Sequence, residues 1–88
     1  MSDTRHRQLS RIYGRPLESD DDARAAIRRD PGILASALFE ECVQSDDVTS
    51  IETARAYLED RLEFLGDLVR EGAEPVRQTF EARVAAWQ

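Results

Sequence analysis

The 88-residue sequence predicts a small all-helical protein, and three observations carry that expectation. Apolar residues recur at spacings of three and four, no stretch alternates β-branched and aromatic residues with polar ones, and helix start and stop signals mark five segments. The expected architecture is all-α: a small helical bundle of three main helices with one or two short N-terminal helical segments. Residues 1–18 are expected as a basic arm or short helix, and residues 19–88 as the bundle domain.

The first segment, Asp3 to Tyr13, sets Leu9, Ile12 and Tyr13 on one side and ends at Gly14 and Pro16. Ser19 then precedes three aspartates, an N-cap with carboxylates at the positive end of a helix dipole, and Arg28 and Arg29 complement the other end. Three consecutive aspartates also suggest a cation site, but the alternating ligand spacing and glycine turn of a calcium loop are missing. Asp30-Pro31-Gly32 closes this segment and opens the next, with Asp30 as N-cap and Pro31 where a missing N–H costs nothing. Leu34, Ala35, Leu38, Phe39, Cys42 and Val43 then form a stripe wide enough for two neighbours, so this helix is expected to be central. Thr49 and Glu52 read as a capping box starting the longest helix, which is expected to run to Glu71 before Gly72. Gly66 inside it costs roughly 1 kcal/mol relative to alanine and is expected to mark a kink, a close helix approach or simply a tolerated residue. The last helix begins at Pro75 and carries Val76, Phe80, Val84 and Trp87.

Composition narrows the function class. The net charge is −6, yet residues 1–15 hold four arginines (5, 7, 11 and 15) against Asp3, a net of +3, which leaves −9 on residues 16–88. An acidic body disfavours nonspecific binding to nucleic acid or anionic membrane, whereas the basic arm can still touch an acidic protein surface or a phosphate backbone. All 12 basic residues are arginine, with no lysine and no asparagine, a bias resembling the coding preference of a high-GC or halophilic microbe. A single cysteine and a polar N-terminal stretch without a long apolar run predict a cytoplasmic protein with no membrane span. Leu, Ile, Val and Phe total 20 residues, a small core that association with a partner would supplement.

Catalytic chemistry finds few candidates. His6, the single histidine, lies far in sequence from Cys42, which sits on an apolar stripe and is expected to pack as a small hydrophobe. One histidine and one cysteine cannot complete a zinc site, and carboxylate pairs such as Glu59 and Glu63 belong to a solvated face. The four glycines are too scattered for a phosphate loop. The expectation is therefore a noncatalytic protein without metal or cofactor.

The longest helix holds the candidate binding site. Ile51, Ala54, Leu58, Leu62, Leu65 and Val69 form one apolar stripe, with Tyr57, Phe64 and Leu68 beside it and Arg61 between the two. Arg61 is expected to reach solvent, to pair with Glu40 or Glu41, or to face a partner, since an unpaired buried guanidinium costs several kcal/mol. Aromatics and arginine dominate interface centres, so Tyr57, Arg61, Phe64 and Leu68 are the expected partner-binding residues. Phe80 and Trp87 stand between core and interface roles. The expected function is a noncatalytic protein-protein interaction module: an assembly, adaptor or inhibitory subunit that binds itself, as a homodimer or larger, or joins a larger complex. The alternative is a nucleic-acid-linked regulatory protein using Arg5, Arg7, Arg11 and Arg15, against which stands the absence of an arginine-rich recognition helix.

Overall fold

The computed structural model describes residues 4–87, which form five α-helices and one 3-10 turn. The helices are α1 (Thr4–Tyr13), α2 (Asp20–Arg29), α3 (Pro31–Val43), α4 (Ile51–Leu65) and α5 (Ala73–Trp87), with the 3-10 turn at Gly66–Val69. No strand occurs among the described residues. Asp3, expected as the start of the first helix, lies outside them.

The helices meet through one apolar core. α3 packs along α5, α4 rests against both, α1 lies on α3 and α2, and α2 is seated on the 3-10 turn. Leu9 of α1 and Leu17 of the following loop are buried in the same cluster as Leu34, Leu58 and Phe80. The N-terminal segment is thus a short helix packed into the bundle rather than a free arm. The apolar side expected of it is the side that packs: Leu9 is fully buried, and Ile12 and Tyr13 rest partly buried against the core. Tyr13 reinforces the anchor by donating its hydroxyl to the Asp30 carbonyl, 2.9 Å away at the start of α3.

Helix ends follow local chemistry, with departures from the sequence reading at three: α5 begins at Ala73 instead of Pro75, which leaves Pro75 within the first turn, where its missing N–H costs nothing, and the other two concern α4. Ser19 caps α2 as expected, its Oγ accepting the Asp22 N–H at 3.1 Å. Asp30 precedes Pro31 at the start of α3, although its carboxylate caps nothing. The capping box of α4 is shifted by one residue, to Ser50 and Thr53 instead of Thr49 and Glu52. Thr53 Oγ1 accepts the N–H groups of both Thr49 and Ser50 at 3.0 Å, so one hydroxyl satisfies two backbone donors.

The second departure in α4 is its length: the helix stops at Leu65 instead of reaching Glu71. Gly66 adopts φ 56° and ψ −125°, a combination that side-chain-bearing residues rarely reach, and the chain turns there. Gly72 has a different role. A methyl group at that position would lie 2.6 Å from Ile27 Cγ2 and 3.3 Å from the Ile27 carbonyl oxygen. The absent side chain lets α2 approach the start of α5 at backbone distance. Two glycines thus fold residues 66–72 back onto α2, where an uninterrupted helix would have continued past it.

Candidate functional site

The outer face of α4 combines its own side chains with groups from α1 and α3. Tyr57, Arg61 and Phe64 follow one another at four and three residues, so they stack along one side of the helix. Tyr57 and Arg61 are half-buried, and Phe64 is 42 % exposed. Leu68 does not join them. It lies beyond the break at Gly66 and is 2 % exposed, packed into the core, which removes it from the expected binding residues.

Arg61 is held by polar and aromatic neighbours rather than by a carboxylate. Its Nη2 donates to Gln8 Oε1 of α1 at 2.8 Å, and its guanidinium carbon sits 4.6 Å from the centre of the Phe64 ring. The Nε atom is buried and has no hydrogen-bond acceptor. Among the described residues no carboxylate lies within ion-pair distance, so neither Glu40 nor Glu41 supplies the expected internal partner. Glu41 is engaged by Tyr57, whose hydroxyl donates to its Oε2 at 3.1 Å. Next to this face, Arg5 Nη1 donates to the Leu65 carbonyl at 3.4 Å, which ties α1 to the end of α4.

The electrostatics of the tyrosines follow from these contacts. Burial, then the charge of Glu41 and the hydrogen bond to it, push the Tyr57 phenol up to about 12. Burial and the charge of Asp30 push Tyr13 to about 12 as well. A raised folded-state pKa favours the neutral phenol, so the associated stability is complete below the ordinary value of 10.0 and is lost as pH rises from there to about 12. These are the only two tyrosines in the chain, so ultraviolet titration sees nothing else. We expect no phenolate step near 10.0 while the helices persist, and joint loss of helix and protons near 12. A step near 10.0 with the helical signal intact would show that both hydroxyls are free.

The remaining predicted residues are dispersed. Arg7, Arg11 and Arg15 are exposed on α1 and the loop after it. Phe80 is fully buried, its ring edge-on to Phe39 at 5.9 Å, and Trp87 is 38 % exposed and edge-on to Phe39 at 6.3 Å. Cys42 is buried in the core, where desolvation pushes its thiol upward. His6 Nε2 lies 2.7 Å from Asp20 Oδ1, joining α1 to α2. Glu59, expected on a solvated face, receives Arg77 Nε and Nη2 at 2.8 and 3.0 Å, which holds its carboxyl below the usual range. Arg55 grips Glu81 in the same two-pronged way, so α4 and α5 are cross-linked twice. Sequence reading missed both pairs because their partners lie on different helices.

No three His, Cys, Asp or Glu side chains among the described residues are arranged to hold a metal, and no described helix is long and apolar enough to cross a membrane. Comparison with family models, curated proteins and solved structures returned no match.

Proposed function

We propose that the protein is a noncatalytic binding module that docks a protein partner on the Tyr57–Arg61–Phe64 face. In this reading α3, α4 and α5 are the three main helices of the bundle, and α1 frames the interface through Arg5 and Gln8. The observation that carries the proposal is Arg61: a half-buried cation, stacked on an exposed aromatic ring, with a buried N–H that has no acceptor. An unsatisfied buried donor is costly, and a partner carboxylate at this position would offset that cost by meeting the outer N–H groups of the same guanidinium while covering Phe64.

The partner we name is a second copy of the chain, because a small domain gains by association the apolar burial that its own core cannot supply. Light scattering across a concentration series is expected to show a dimer. Phe64→Ala should weaken it by at least about tenfold, the scale of an interface anchor, while leaving the thermal midpoint of the dissociated chain within a few degrees. A wild-type chain that stays monomeric throughout, or a variant that associates as tightly, would overturn self-association through this face.

A further inference from the structure

Nine of the twelve arginines of this acidic protein fall into two groups. Arg24, Arg28, Arg55, Arg70 and Arg77 each face a carboxylate. Arg7, Arg11, Arg15 and Arg29 have no ion pair among the described residues, and all four border the clefts on either side of Pro16 and Leu17. Arg61 on α4 and Arg83 on α5 also lack an ion pair among the described residues but stand singly, so this loop is where four such arginines come together in a chain whose net charge is −6.

The larger cleft, of about 660 Å³, has two unlike walls. His6, Arg7, Ser10 and Arg11 of α1 form one, and Pro16, Leu17 and Glu18 form the other. Its shape is fixed locally. Gly14 turns the chain at φ 70°, its N–H and that of Arg15 both donate to the Ser10 carbonyl, and the Leu17 N–H donates to Ser10 Oγ at 2.8 Å. His6 is engaged by Asp20, so Arg7 and Arg11 are the cations of the α1 wall without an ion-pair partner among the described residues.

We propose that this cleft binds an extended acidic peptide segment in which carboxylate and apolar residues alternate. Arg7 and Arg11, four residues apart on a helix, are about 6 Å apart at Cβ. Alternate side chains of an extended strand stand about 7 Å apart on one side. Two acidic side chains thus meet the two guanidinium groups while the intervening residues face Pro16 and the edge of Leu17. A nucleic-acid backbone fits less well: residues 16–88 are net negative by nine, and a phosphate at every step would bring negative charge against Glu18 and Asp22, whereas the alternating peptide sets its uncharged residues on the Glu18 side of the cleft. A short segment is affected mainly by charges within about 8 Å at physiological salt.

The test uses the full chain and a fluorescent peptide of alternating glutamate and leucine, with a glutamine–leucine peptide and a labelled oligothymidine as comparators. Fluorescence anisotropy should show the glutamate peptide binding more tightly than either comparator, and weakening as salt is raised. Arg7→Glu with Arg11→Glu should reduce its affinity at least about tenfold. Arg83→Glu, which reverses an exposed arginine on α5 with no ion pair among the described residues, and Phe64→Ala should leave it unchanged, so this site and the α4 face fail or stand separately. Circular dichroism confirms that each variant is folded. Equal affinity for the double variant and Arg83→Glu, tighter binding of oligothymidine, or equal binding of the glutamine peptide would each overturn the proposal.

Discussion

Phe80→Ala is expected to lower the unfolding free energy by about 3–5 kcal/mol, the cost of emptying a large buried aromatic site. Phe80 is fully enclosed, and its ring meets the edge of Phe39 across the α3–α5 contact, the most extensive in the fold. Removing it leaves a cavity between two helices that the Arg55–Glu81 and Arg77–Glu59 pairs cannot close, because exposed ion pairs contribute only about 1 kcal/mol or less each. Domains are typically stable by about 5–15 kcal/mol, so the loss approaches the whole for a chain with a small core. Urea unfolding followed by the fluorescence of Trp87, the single tryptophan, packed edge-on against Phe39, measures it directly. A midpoint within error of the wild type, at unchanged slope, would mean that the α3–α5 contact does not hold the bundle together.

Leu9→Ala is expected to cost about 2–5 kcal/mol, the range for truncating a buried leucine. Leu9 is the one fully enclosed side chain of α1; Ile12 and Tyr13 pack against the core only in part, and hydrogen bonds at the edges of the helix join Arg5 to Leu65, His6 to Asp20, Gln8 to Arg61 and Tyr13 to Asp30. If α1 were a detachable arm, the same substitution would fall within about half a kcal/mol, as for a surface site. Loss of the bundle's cooperative transition along with α1 is the expected outcome, since Leu9 shares its core with α2 and α3. Unfolding in two steps, with α1 melting first, would instead mark it as separate.

The comparison between sequence and structure turns on where tertiary contacts overrule local preference. The helical class, the cap at Ser19, the helix start at Pro31 and the burial of Cys42 were legible because each rests on nearest neighbours or on a regular apolar period. Gly66 was legible as an irregularity but not as a stop, since Leu65, Leu68 and Val69 keep helical spacing through it. The turn forms where α2 packs against residues 66–69, a contact between segments far apart in the chain. Its consequence reaches the site: a wheel drawn through Gly66 puts Leu68 beside Phe64, whereas the break rotates Leu68 into the core. Gly72 read as a helix end, and nothing nearby in sequence announces that Ile27 would press against it. The partners of Arg61 were equally hidden, because Gln8 lies 53 residues away.

Cys42 gives the molecule an internal clock. It is the single cysteine, enclosed on the α3 stripe between the elements that make up the core, and its raised pKa keeps it in the unreactive thiol form. A thiol reagent can reach it only during an excursion in which α3 separates from a neighbour, so the labelling rate counts those excursions without any added probe. Under conditions where reclosure outruns the chemistry, the ratio of that rate to the rate of a free thiol is the population of open molecules. The side chain that forecloses cysteine chemistry in the folded protein thereby becomes the most sensitive measure of how often the fold comes apart.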